Sequence, residues 1–253
     1  VPLMNPLPAP LRRLVAALAP RMGPYAAMWA TLAVGVTAVL ALTALAAEIY
    51  EDVTESAGVS GLDLPILGLM MAGRTPELAA AGTAFTNLGG RVGSTLIALA
   101  ALVVLSLVSR SWRPTILLAA AAGGSLLMTV VGKDVTGRTR PDTAMAVPPF
   151  ETSPSFPSGH TLNTTAIMMV VAYLACLLVR RAWVRTAVIL ACGAFVLGMG
   201  LSRVFLGHHW FTDVLAAWAL GLAWAAMVIL AHRVFHTMRQ VRAKAGIDDG
   251  GGR

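Results

Sequence analysis

Six runs of predominantly apolar residues, each long enough to cross a bilayer, dominate this 253-residue chain. They extend over Tyr25 to Ala47, Val92 to Val108, Pro114 to Gly132, Thr161 to Val179, Thr186 to Ser202 and Val214 to Ala231. A hydrocarbon core about 30 Å thick needs roughly 20 such residues per helix, and backbone inside it must satisfy its own hydrogen bonds. The expected fold class is therefore all-α, an integral membrane bundle of six transmembrane helices. Composition agrees: 57% of residues are hydrophobic and 12% charged, a balance foreign to water-soluble domains. The first run is too long for a signal peptide and is read as a retained span. Cys176 and Cys192 both fall inside apolar runs, which argues against a disulfide framework.

The formal charge of +7 raises the question of nucleic acid, but the basic residues are scattered over short connectors and form no stripe with interleaved aromatics. Membrane topology accounts for them better, because cytoplasmic loops are enriched in Lys and Arg. Arg12, Arg13 and Arg21 precede the first run; Arg110 and Arg113 separate the second and third. Arg180, Arg181 and Arg185 separate the fourth and fifth, and Arg233, Arg239, Arg242 and Lys244 follow the sixth. All four groups fall on one side. The expectation is a multi-pass protein of the inner (plasma) membrane with residues 1–24 and a basic, partly disordered tail, 232–253, both cytoplasmic. Residues 25–231 then form one six-span domain whose segment 48–90, including "LPILGLMMAG", is extracytoplasmic or interfacial.

The other extracytoplasmic segments break that charge rule. Lys133, Arg138, Arg140 and Arg203 stand where few cations are expected, so something negative is expected beside them. Three clusters meet there: "KDVTGRTRP" from Lys133, "PSGH" ending at His160, and "SRVFLGHHWFTD" from Ser202 to Asp213. Lys133, Arg140 and Arg203 supply a point charge and two planar forks suited to a tetrahedral oxyanion. Ser158 and Gly159 stand at an expected helix start, where unpaired N–H groups favour an anion. His209 and Asp213 are four residues apart and share a helical face, so the carboxylate can hold one imidazole tautomer. His209 is then the candidate nucleophile and His160 the candidate acid. His208, five residues from Asp213, points to another face.

Each feature has a plainer reading. Ser158 alone is an ordinary N-cap residue, Lys133 and Arg203 are ordinary interfacial cations, and His209 with Asp213 is an ordinary helix-face hydrogen bond. Arg138 carries no required role and reads as a loop residue; His232 and His236 read as solvated or interfacial. Trp210 reads as a headgroup-level anchor. A metal site drawn from His160, His208, His209, Asp142 and Asp213 has no recognisable ligand spacing, and three cations aimed at one spot repel a divalent ion. The expected chemistry needs no cofactor and no metal.

Together the clusters resemble the signature KXXXXXXRP, PSGH and SRXXXXXHXXXD of the type-2 phosphatidic acid phosphatase (PAP2) superfamily, relatives of vanadium haloperoxidases, over roughly Tyr25 to Ala231. The resemblance implies a PAP2/vanadium-haloperoxidase-like core and phosphate binding by Lys133, Arg140, Ser158, Gly159 and Arg203. It also implies leaving-group protonation by His160 and attack by His209 supported by Asp213, through a phospho-histidine. The implied substrate partner is a lipid phosphate in the bilayer, of the undecaprenyl diphosphate, phosphatidylglycerol phosphate or phosphatidic acid class, with no nucleic acid; oligomeric state is left open. Departures are Asp142, where many members carry a basic residue, and Trp210 and Phe211, where tyrosine and proline are common. A lipid phosphotransferase and a non-catalytic lipid-phosphate binder or transporter are the alternatives.

Overall fold

The computed structural model describes residues 26–244. The expected segment 1–24 with its arginines, and the terminal "AGIDDGGGR", lie outside the described residues. Eight α-helices follow one another: α1 (Ala26–Glu55), α2 (Asp63–Ala72), α3 (Pro76–Asn87), α4 (Arg91–Ser109), α5 (Arg113–Thr136), α6 (Gly159–Leu178), α7 (Ala182–Phe205) and α8 (Phe211–Lys244). No strand occurs among the described residues. Six of these helices, α1 and α4 to α8, are long and apolar enough to span a membrane. The all-α, six-span expectation matches.

The helices overrun the apolar runs at their polar ends. α1 continues past Ala47 through Glu55, and the Asp52 carboxylate then accepts the Val59 N–H at 2.9 Å, fastening the turn that follows. α8 continues past Ala231 to Lys244, so the start of the expected tail is helical. There the His232 ring meets the Tyr173 hydroxyl at 2.9 Å and packs against His236 with ring centroids 4.6 Å apart. Hydropathy marks where a helix leaves hydrocarbon, and charged helix formers carry it further.

Packing centres on α6, which touches α4, α5, α7 and α8, while α1 lies along α8. Leu162, Ala166 and Val170 of α6 are completely buried. Outward-facing Leu96, Val103 and Leu107 on α4, and Ile116 and Leu127 on α5, stay exposed, a surface that only hydrocarbon suits. Lipid tails are as apolar as leucine, so close backbone approach must hold the spans together. α8 provides it with buried Ala216, Ala217, Ala219 and Ala223 and with Gly221. A Cβ on Gly221 would stand 2.7 Å from the Thr165 Cβ and 3.0 Å from the Leu162 carbonyl oxygen of α6. Buried hydroxyls close onto their own helices: Thr165 donates to the Thr161 carbonyl at 2.7 Å and Thr129 to that of Ser125 at 2.9 Å.

Connectivity sorts the ends of the bundle. The end of α5, the starts of α6 and α8 and the end of α7 meet at one end, which collects the three motif clusters. The turn between α4 and α5 with Arg110 and Arg113, the turn between α6 and α7 with Arg180 and Arg181, and Arg233 and Arg239 on α8 take the other end. The "LPILGLMMAG" stretch forms most of α2, which packs on α7 and α8 at the motif end. α3 starts with Thr75 accepting the Leu78 N–H at 3.3 Å and Pro76 in the first turn. Between α2 and α3, Arg74 donates to the Met145 carbonyl at 2.9 Å and the Phe205 carbonyl at 2.5 Å, joining this cap to the site loops.

The α6–α8 contact generates a test. Gly221→Leu forces the two backbones apart, and overpacking of this kind costs about 1–3 kcal/mol. A thermal unfolding midpoint in detergent several degrees below wild type is expected, and an unchanged midpoint would show that the approach carries no stability.

Candidate active site

The site is built on one buried imidazole. His209 is 1% exposed and its Nδ1 lies 3.2 Å from Asp213 Oδ2. A carboxylate accepts only, so Nδ1 carries the proton and Nε2 keeps its lone pair. Nε2 faces Arg140, whose guanidinium donates to it at 3.2 Å. Gly207 makes the preceding turn possible: its φ is +73°, and a Cβ there would stand 2.4 Å from the Met145 carbonyl oxygen. The turn separates the two adjacent histidines. His208 Nε2 goes to the Val147 carbonyl at 2.7 Å, away from His209's partners.

Asp213 is completely buried and fully engaged. Besides His209 it accepts from Arg138 at 2.5 Å, from the Trp210 N–H at 2.9 Å and from the Ser155 hydroxyl. Arg138 spans further: its second terminal nitrogen reaches Asp63 Oδ2 at 2.6 Å. Asp63 in turn accepts the Thr212 N–H at 2.8 Å and the Thr212 hydroxyl at 2.7 Å. A carboxylate from α2 thus closes the first turn of α8, and Arg138 ties it to Asp213. Arg138 does lie in the loop after α5, and the expectation that it carries no required role is corrected by this bridge. Asp63 and Ser155 were missed as well.

The cations form the opposite wall. Arg140 holds the loop through the Ser153 carbonyl at 2.7 Å and the His208 carbonyl at 2.5 Å. Lys133 donates to the Ser153 hydroxyl at 3.1 Å and to the Pro154 carbonyl. Arg203, 1% exposed, donates to the Thr86 hydroxyl at 3.1 Å. Between the two guanidiniums sits an acid that sequence reasoning passed over: Glu151 accepts from Arg140 at 2.9 Å through one oxygen and from Arg203 through the other. Its signal was in plain view: the loop after α5 carries two acids, Asp142, whose carboxylate is used locally by the Ala144 N–H, and Glu151, which has no such local partner.

Local electrostatics follow from this geometry. Burial, and then the charges of Arg140 and Arg203, push His209 well below the ordinary histidine value, so the ring is neutral. Burial alone would raise the Glu151 carboxyl, but Arg203 and Arg140 outweigh it and hold it down at about 2. Its charge is therefore present throughout the working pH range.

A cavity of about 540 Å³ opens on the site, bordered there by Lys133, Glu151, Gly159, His160 and His209. The structure thus brings the two histidines and Lys133 to one space, with Arg140 and Arg203 held behind Glu151, which borders it. Ser158 is placed differently. It is completely buried at the N-cap position of α6, its hydroxyl pairs with that of Thr161 at 2.9 Å, and its N–H goes to the Asp213 carbonyl at 3.2 Å. The Cβ that Gly159 lacks would meet the Thr129 methyl at 2.9 Å, so its smallness seats α6 on α5 as well. Among the described residues, no group of three or more His, Cys, Asp or Glu is placed to hold a metal ion.

Comparison with known proteins supplies the remaining observation. Residues 113–236 match the PAP2 superfamily, a range containing all three motif clusters. Phosphatidylglycerophosphatase B of Bacillus subtilis (strain 168) is 34% identical over 185 residues, covering 70% of this chain and 84% of that protein. The crystal structure of a transmembrane PAP2-type phosphatidylglycerolphosphate phosphatase from Bacillus subtilis superposes with a TM-score of 0.66 at 29% identity, covering 77% of this chain and 93% of the other. Aquifex aeolicus LpxE shares the fold at a TM-score of 0.51 and 19% identity, over 66% of this chain and 94% of its own. The chain therefore belongs to the PAP2 superfamily and is a membrane lipid phosphatase of that family.

Proposed function

We propose that the protein hydrolyses the phosphoester or diphosphate of a lipid at the extracytoplasmic face, through a phospho-histidine formed on His209. One observation carries this reading: beside the His209 Nε2 lone pair, two guanidiniums already hold an oxyanion, the protein's own Glu151 carboxylate. A substrate phosphate takes the place of that carboxylate and places phosphorus in front of the imidazole. Lys133 and the orphan N–H groups at the start of α6, beside Gly159, complete the cradle. Ser158 contributes by fixing that helix start.

The steps then balance. The Nε2 lone pair attacks phosphorus, the bond from phosphorus to the lipid oxygen breaks, and the departing alkoxide takes a proton from His160. Arg140, Arg203 and Lys133 stabilise the charge spread over the transferring group. In the second half-reaction His160 takes a proton from water, the resulting oxygen attacks phosphorus and the N–P bond breaks. Inorganic phosphate and neutral His209 are restored. Asp213 supports the positive charge that His209 gains while phosphorylated, and Arg138 and Asp63 keep Asp213 in place.

Support for the face comes from charge. The arginine turns occupy the end of the bundle opposite the site, which the positive-inside rule assigns to the cytoplasm. In a background with Cys176→Ala and Cys192→Ala, an impermeant maleimide applied to intact cells should label Thr143→Cys and spare Arg181→Cys. The reverse pattern would turn the site toward the cytoplasm.

His209→Ala should lower phosphate release from a lipid phosphate by at least about 1000-fold and abolish covalent labelling by substrate carrying radioactive phosphorus. Retained release would remove His209 from the chemistry, and labelled lipid or sugar acceptor in place of free phosphate would indicate a phosphotransferase.

The depressed acidity of His209 has its own consequence. A group with a lowered value loses its proton earlier as pH rises, so Nε2 stays available below the usual histidine midpoint near 6.5. Nitrogen chemical shifts of the His209 ring in micelles should report the neutral form from pH 7.5 down to about 5.5. A transition centred near 6.5 would contradict the assigned surroundings.

A further inference from the structure

The cavity does not stop at the phosphate. It descends between α4, α5 and α6, and each helix lines it with the same gradient. On α6 the lining runs His160, Asn163, Ile167; on α4 it runs Arg91, Ser94, Ala98, Leu102; on α5 it runs Lys133, Leu126, Ala122, Leu118. α4 and α6 begin at the site end and α5 finishes there, so the order on each is an order of depth. A charged level lies at the top and hydrocarbon at the bottom. α4 and α6 place a hydrogen-bonding level between them.

That middle level is unpaid for by the protein. Neither the Asn163 amide nor the Ser94 hydroxyl makes a hydrogen bond to another described residue, and the Asn163 Oδ1 is buried without a partner. The contrast with the other polar side chains of the spans is sharp, since Ser125, Thr129 and Thr165 all close onto carbonyls of their own helices. An unmatched polar group at membrane depth is costly. Asn163 stands three residues below His160, about 4.5 Å deeper along the helix. That depth is within side-chain reach of an atom three bonds beyond a phosphoester oxygen.

We infer that Asn163, assisted by Ser94 across the cavity, is a specificity-determining residue that reads an oxygen substituent on the second carbon from the phosphoester. The inference rests on the proposed reaction and narrows its substrate. A glycerol phosphate ester carries such an oxygen: as a hydroxyl it can donate to the unpartnered Asn163 Oδ1, and as a hydroxyl or an acyl ester it can accept from the Asn163 Nδ2 and the Ser94 hydroxyl. A polyprenyl phosphate carries an alkene carbon there. It would leave Asn163 and Ser94 unpaired, and sites built to hydrogen-bond a substrate group reject analogues lacking it. The chain is thus set toward glycerol-backboned lipid phosphates by its neck level, while the level above binds any phosphate and the level below accepts any hydrocarbon.

The test uses the full-length protein in mixed micelles, with a diacylglycerol phosphate and a polyprenyl phosphate as paired substrates. Asn163→Leu keeps the branched outline of the side chain and removes the hydrogen bonds. Its kcat/KM for the glycerol substrate should fall about three- to tenfold, while that for the polyprenyl substrate holds or rises, and Ser94→Ala should shift the same ratio in the same direction. Equal loss on both substrates with a lowered thermal midpoint would make Asn163 structural and overturn the inference, as would an unchanged ratio. The parent reading fails separately: wild type would then release no phosphate from either lipid, or His209→Ala would match wild type on both.

Discussion

The bridge from Asp63 through Arg138 to Asp213 is the interaction on which the rest of the site depends. Two buried carboxylates from helices far apart in the chain share one guanidinium, and one of them holds the His209 imidazole. Removing a partner from a buried ion pair costs about 3–5 kcal/mol, because the remaining charge is stranded. Without Arg138, Asp213 would lean on its remaining donors, the Ser155 hydroxyl, the Trp210 N–H and His209. The stacking of Arg138 over Trp210, 5.7 Å from the ring centroid, further limits its freedom. A rigid carboxylate means a single tautomer, and a single tautomer means a lone pair that always faces the anion site.

The opposite wall works by excess charge. Lys133, Arg140 and Arg203 converge on a space that holds one compensating carboxylate; Lys133 and Arg140 meanwhile brace the loop through the Pro154 and Ser153 carbonyls, and Arg203 is held by the Thr86 hydroxyl. The cations are therefore oriented before any phosphate arrives, which is what electrostatic stabilisation of a transferring phosphoryl group requires. Glu151 keeps the arginines from repelling one another in the meantime. Its carboxylate is bound through both oxygens, as a phosphate would be, but it has no atom for His209 to attack.

Much of this was readable in the residues. Six spans follow from apolar run length, and the convergence of Lys133, Arg140, His160, Arg203 and His209 follows from placing their segments at alternate ends of consecutive spans. What escaped was contact between distant segments. Asp63 lies seventy-five residues from Arg138 and 149 from Thr212, and no spacing rule joins such pairs. Glu151 has the same difficulty, since its role exists only once Arg140 and Arg203 are brought to either side of it. The α3 start was different: Thr75-Pro76-Glu77 is a legible cap followed by a first-turn proline and an acid, and it was passed over because the surrounding segment was judged by hydropathy alone.

Two helix starts meet at the site, and the protein treats them in opposite ways. At the start of α8 the N–H groups of Trp210 and Thr212 are taken by Asp213 and Asp63, so the positive end of that helix is used up in holding the nucleophile's support. At the start of α6 the N-cap residue Ser158 turns its hydroxyl to Thr161 and gives the helix no side-chain cap. A cap there would have stabilised α6 by about 1 kcal/mol. Leaving it open keeps the N–H groups beside Gly159 and His160 free of a side-chain cap, as the proposed phosphate cradle requires. The sequence difference between the two starts, carboxylates around one and Ser-Gly-His at the other, is thus a division between a helix end that builds the site and, under the proposed reaction, one that binds what the site acts upon.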